Sequence, residues 1–157
     1  MSADPSYTLV VWREWVSLPE LGVPWIKAKL DTGARTSAIH AFDAEEFTRG
    51  DDLWVRYTVQ PWQGSLEDPL QVESRVIDRR EVRSSSGHGE ERLVVPMQIT
   101  LAQQSITVEM TLSRRDEMGF RLLLGREALR QGFAVDPARS YVAGRPKVAV
   151  RRRNRGR

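Results

Sequence analysis

Trp25-Ile26-Lys27-Ala28-Lys29-Leu30-Asp31-Thr32-Gly33-Ala34 alternates apolar and charged residues from Ile26 to Leu30, then breaks into a small-residue turn that carries one carboxylate. The alternation has the period of a half-buried strand, so the carboxylate is presented at a strand end. Gly33 lets the backbone fold where a side chain would clash, and the Thr32 hydroxyl is free to hydrogen-bond across to a matching loop. Asp31, Thr32 and Gly33 are therefore the catalytic candidates. The same tripeptide also fits a plain Asx turn in which Asp31 only orders the backbone.

A second segment, Arg121-Leu122-Leu123-Leu124-Gly125-Arg126-Glu127-Ala128-Leu129, reads as a buried apolar strand followed by a glycine and a helix start. Together, Asp31-Thr32-Gly33-Ala34 with Ser37, and Leu123-Leu124-Gly125-Arg126 with Leu129, resemble the retropepsin-like aspartic peptidases, whose chain is half of a pepsin-type enzyme. Arg13 to Pro19, Lys27 to Ala41 and Arg115 to Arg126 narrow the resemblance to the bacterial group often labelled "ATP-dependent zinc protease", over roughly residues 7 to 144. Members of that group are often encoded near a ligase that adds glutamates to a ribosomal protein. The resemblance implies an all-β, closed or nearly closed acid-protease barrel and an aspartic endopeptidase-like hydrolase. It also implies that Ser37 supports the Asp31 carboxylate or caps its turn.

The residues argue against the label's chemistry. There is no Cys, the only histidines are His40 and His88, and no His-Glu-x-x-His or Gly-x-x-x-x-Gly-Lys-Ser/Thr stretch occurs. No metal and no cofactor are expected; a site drawing His40, His88 and a carboxylate from distant segments is the remaining metal-dependent reading. An aspartic mechanism needs two carboxylates sharing one proton, one acting as base on a bound water and the other polarising the scissile carbonyl. With one Asp-Thr-Gly and no internal repeat, a two-fold homodimer pairing Asp31 of each subunit is the expected solution. Asp116 is the second-acid candidate for a monomer. Retention of the fold as a non-catalytic module that binds acidic tails or dimerises is the competing class.

Ser84-Ser85-Ser86-Gly87-His88-Gly89 lies between charged strands, at the place where retropepsins carry a flap over the substrate. Gly87 and His88 are accordingly assigned to substrate binding, as are Ala34, Arg35 and Ser37 near the Asp loop and Arg121 and Arg126 near the second motif. Guanidinium forks suit carboxylates, so a peptide or protein substrate rich in acids, glutamates above all, is expected. Local Arg–Glu pairing on exposed strands is the alternative reading of the same arginines, at about 0–1 kcal/mol per pair.

At 157 residues, 40% apolar and with five Trp, the chain can bury a core without staples. Strands are expected at Tyr7–Trp12, Glu14–Leu18, Ile26–Leu30, Ser37–His40, Leu53–Pro61, Leu70–Ile77, Arg79–Ser84, Arg92–Thr100, Gln104–Leu112 and Leu122–Leu124, with extended structure resuming at Val135–Pro137 and Ser140–Ala143. One short helix is expected at Arg126–Gln131, stopped by Gly132, and one helical turn at Asp43–Phe47. The five Trp are read as core and barrel-edge packing, and His40 as a partly buried packing residue. Residues 145–157 hold seven basic side chains and no acid, leaving 17 basic against 21 acidic in the rest. That segment is expected to be a disordered basic tail, either solvated or in weak contact with RNA or the ribosome, and residues 1–6 a disordered start. No signal-like or membrane-spanning run is seen, which implies a cytoplasmic protein.

Overall fold

The computed structural model describes residues 6–61, 69–83, 87, 89–114 and 120–149. Trp62, Ser84–Ser86, His88, Asp116 and most of the two expected disordered ends lie outside that set.

Strands dominate, as the alternation predicts: β1 (Thr8–Val11), β2 (Arg13–Leu18), β3 (Val23–Asp31), β4 (Ser37–Arg49), β5 (Asp52–Val59), β6 (Leu70–Arg75), β7 (Asp78–Arg83), β8 (Gly89–Leu101), β9 (Gln104–Ser113), β10 (Leu122–Gly125) and β11 (Phe133–Asp136). One short helix, α1 (Arg126–Leu129), and a 3-10 turn at Pro19–Leu21 stand among the strands, and Val148 and Ala149, at the end of the described residues, are also helical. The order β10-β3-β2-β8-β9-β4 returns to β10, so these six strands close into a barrel. β5 and β6 extend the sheet beyond β4, β7 adds to the first half of β8, and β1 pairs separately with β11 in parallel.

Inward-facing residues alternate along each long strand and fill the barrel: Ile26, Ala28 and Leu30 on β3, Val95, Met97, Ile99 and Leu101 on β8, Ile106, Val108, Met110 and Leu112 on β9. All four β10 residues are buried, which explains an uninterrupted Leu-Leu-Leu-Gly where the outer strands alternate.

β10 decides the architecture. It pairs in parallel with β3, from Leu122 opposite Ala28 to Gly125 opposite Asp31, and antiparallel with β4 on its other edge, Leu122 opposite Ile39. The chain leaving β3 must therefore pass over the end of β10 before starting β4, and that crossing is the Asp31–Thr36 loop.

Three expectations are corrected. Asp43–Phe47 is not a helical turn but part of β4, which runs on to Arg49 against β5. The register slips between Phe42 and Glu45, where Asp43 takes a left-handed φ of 53° that a short polar side chain tolerates. Ser140–Ala143 is not continuously extended, since Tyr141 takes a φ of 54°; its backbone is taken up by side chains and carbonyls of β2, with Tyr141 N donating to Arg13 O at 3.0 Å and Ala143 N to Glu14 Oε1 at 3.1 Å. The helix ends at Leu129 rather than Gln131, with Arg130 as its cap. One turn was not legible at all: β8 and β9 are joined by Ala102-Gln103, both at positive φ (50° and 67°), where hairpins favour Asn or Gly.

Candidate active site

The Asp31 loop is held almost wholly by backbone. Asp31 Oδ1 accepts from Gly33 N at 2.9 Å, and Ala34 N donates to Asp31 O at 3.2 Å, closing a tight turn. A Cβ on Gly33 would sit 3.2 Å from Asp31 Oδ1, crowding that contact. The far side of the loop rests on the start of α1: Arg126 N donates to Ala34 O at 2.8 Å, Glu127 N to Arg35 O at 3.2 Å, and Arg126 Nη1 to Gly33 O at 3.3 Å. The first amides of the helix, which have no partner within it, thus find acceptors in the loop.

Gly125 is required by the crossing. A Cβ there would lie 2.5 Å from Thr36 O and 2.8 Å from Ala34 O, both backbone atoms that cannot swing aside. Its own N–H donates to Ser37 Oγ at 3.0 Å, buried, while Ser37 O accepts from Thr111 Oγ1 at 2.7 Å. Ser37 thus ties β10 to the loop's exit, through a contact with the second motif. The Asp31 side chain remains one-third exposed, with Lys29 Nζ 3.9 Å from Oδ2. Thr32 is exposed beside it.

Next to the loop, on the outer face of β9, opens a cavity of about 970 Å³. Its walls are the loop from Gly33 to Ser37, the β7 segment Arg80–Arg83, Thr107–Glu109 of β9, and Glu127, Ala128, Arg130 and Gln131 at α1. Asp31 stands at its edge in sequence but does not line it. Four arginines face this space with three glutamates. Glu127 bridges Arg35 (3.5 Å) and Arg130 (2.8 Å), and Glu109 holds Arg80 at 2.6 Å. Arg83 donates only to a carbonyl among the described residues, Gly87 O at 3.4 Å.

The base of the β7–β8 hairpin is pinned by charge. Arg80 Nε also meets Asp78 Oδ2 at 2.8 Å, and Arg79 bonds Glu46 of β4. The side-chain hydrogen bond from Arg80, with a backbone bond from Arg79 N, holds the Asp78 carboxyl below the usual range. Arg92, largely buried, meets Glu90 Oε2 at 3.1 Å and reaches Thr111 Oγ1 at 3.5 Å.

Of the residues singled out from sequence, Ala34, Arg35, Ser37 and Gly33 line the cavity, and Arg126 anchors the loop. Arg121 does not reach the cavity: it is buried and directed to Gln60 O and Oε1, both at 3.5 Å, while its carbonyl accepts from His40 N at 2.7 Å. His40 is buried with its ring 5.5 Å from Phe42. His88 and Asp116 fall outside the described residues. Sequence reasoning missed Glu109, Glu127 and Arg130; the i,i+3 spacing of Glu127 and Arg130 was the available signal. Among the described residues no three of His, Asp and Glu gather as metal ligands.

Residues 9–146 match the family model described as RimB-like, retropepsin-like aspartic endopeptidase RimB. Proteins from Shewanella pealeana and Shewanella halifaxensis, each named "Probable alpha-L-glutamate ligase", are 47% identical over 132 residues, 84% of this chain and 29% of theirs. A namesake from Desulfotalea psychrophila is 41% identical over 144 residues, 92% of this chain and 31% of its own. The chain spans under a third of the length of these curated relatives. Among solved structures, a Legionella pneumophila protein of unknown function superposes with a TM-score of 0.75 at 26% identity, covering 88% of this chain and 100% of that one.

Proposed function

We propose, from the premise that this chain belongs to the RimB-like family of retropepsin-like aspartic endopeptidases, that it hydrolyses peptide bonds with Asp31 as the carboxylate that activates water. The observation that carries the reading is the loop itself: an Asp at a strand end, locked by the Gly33 amide and seated on Gly125, still one-third exposed. A side chain held this way pays little reorganisation when it orients a water. A second carboxylate is required, and a homodimer that brings Asp31 of two subunits together supplies it, with the exposed Thr32 available to bond across the loops. One carboxyl then stays protonated to polarise the carbonyl while the other takes the proton from water.

The substrate we favour is a glutamate-rich peptide lying in the cavity beside the loop, where Arg35, Arg80, Arg83 and Arg130 offer forks for carboxylates. The ligase names of the relatives point toward glutamate chemistry, and support this choice. They also favour a second reading, in which the domain only recognises acidic tails. Asp31→Asn separates the two: cleavage of a glutamate-rich peptide should fall by about 10²–10⁴-fold with folding and peptide binding intact. Full retention of cleavage refutes the aspartic assignment, and absence of cleavage in the wild type together with tight binding favours the recognition module.

A further inference from the structure

The arginines of the cavity stop short of the acid: its walls run from Gly33 to Ser37 and on to β7, β9 and α1, and Asp31 is not among them. A substrate carboxylate held there lies away from the bond being cut. At the acid itself the described residues place one cation within ion-pair distance, Lys29, whose Nζ is 3.9 Å from Asp31 Oδ2. Lys29 and Asp31 are two apart on β3, so their side chains leave the same face of the strand side by side. Asp31 Oδ1 is already taken by the Gly33 amide at 2.9 Å, which leaves Oδ2, the oxygen facing Lys29, to meet water.

Lys29 is not committed elsewhere among the described residues. On β2 it stands opposite Arg13, a like charge, whose guanidinium turns to Ser140 Oγ at 2.8 Å and to the Trp12 and Tyr141 rings. On β10 it stands opposite Leu123, a largely buried apolar side chain with no acceptor to offer. At 3.9 Å the ammonium attracts Asp31 without hydrogen-bonding it, so its N–H donors are left for another acceptor. The two side chains are 41% and 33% exposed, and an ion pair in that setting adds little to stability. Lysine carries its charge on a flexible stem, so it can turn from Oδ2 to a second carboxylate without the loop moving.

A peptidase that cuts acid-rich chains with carboxylates of its own brings like charges together at the scissile bond, and they repel unless a cation stands between them. We propose that Lys29 is that cation: it pairs with the side-chain carboxylate of the substrate residue directly flanking the scissile bond, and so selects an acid at the cut itself while the cavity reads residues farther along. This rests on the reading of Asp31 as the acid that activates water. The rival role, Lys29 as a positioning residue that only holds Asp31, acts on all substrates alike.

Digestion of a mixture of short peptides carrying glutamate, glutamine or lysine at every position, with the products read by mass spectrometry, tests this on the full chain. The wild type should favour glutamate over glutamine beside the cut by about tenfold. Lys29→Met should remove that preference beside the cut and not the preference farther along. Lys29→Arg should keep it, and Lys29→Glu should turn it toward lysine; these two variants carry the test if Lys29→Met melts early. A uniform slowing of every peptide by Lys29→Met with the glutamate preference intact would overturn the proposal in favour of the positioning role, as would a preference that survives Lys29→Glu. Asp31→Asn judges the underlying reading separately. Cleavage that persists in that variant, or no cleavage by the wild type, removes both readings, whereas Asp31-dependent cleavage with no glutamate preference beside the cut removes the role of Lys29 alone.

Discussion

Gly125 and Ser37 show how single atoms fix the Asp31 loop. With Thr36 O only 2.5 Å from where a Cβ would stand, Gly125→Ala has nowhere to relax except by lifting the loop off β10. A loss of about 1–3 kcal/mol in a urea melt is expected, with cleavage lost as well. Ser37→Ala leaves the buried Gly125 N–H without its acceptor and should cost about 1–3 kcal/mol, while Ser37→Thr should recover part of it. Sequence showed that two glycines and a serine attend the Asp. It did not show that Ser37 bonds Gly125 rather than the carboxylate, because the partner lies 88 residues away and only the strand order brings them together.

Elements explain the cavity. The β7–β8 base carries Arg79 and Arg80 in ion pairs with β4 and β9, all at exposed positions whose contribution to stability is small. Asp78 adds a titrating group: its carboxyl lies below the ordinary value in the folded state, so its contribution is present above the unfolded value and is lost as pH falls through the depressed one. Hydrogen exchange of β7 amides should accordingly quicken in acid before the barrel strands exchange. On α1, Glu127 occupies two arginines that line the cavity. Glu127→Gln should lower KM for a glutamate-rich peptide several-fold, leaving that for a neutral peptide unchanged; equal effects on both would show that Glu127 serves the fold alone. Strand periodicity was readable because one face of each strand is buried. The slip at Asp43 was not, since the four charged or small residues after Phe42 mimic a helical turn until β5 pairs with Glu45 and Glu46. The Ser140–Ala143 backbone also escaped, because its partner is the side chain of Glu14 rather than another strand.

At the scale of the molecule, the homodimer mechanism makes a quantitative demand. Mixing equal amounts of wild type and Asp31→Asn and allowing exchange leaves about a quarter of dimers with two carboxylates, so activity should fall below the half expected of independent monomers. Specific activity should also decline on dilution. Closure of the barrel was legible from many short strands with a single helix; the position of β10 between β3 and β4 was not, because nothing local distinguishes a strand inserted between two earlier ones.

That insertion has a consequence for how the protein is made. The Asp31 turn is specified early in the chain, yet the surface it rests on, from Gly125 to Glu127, is translated much later. A nascent chain emerging from its tunnel therefore carries Asp31 on an unsupported bend, and the loop gains its backing only when the late strand threads home between β3 and β4.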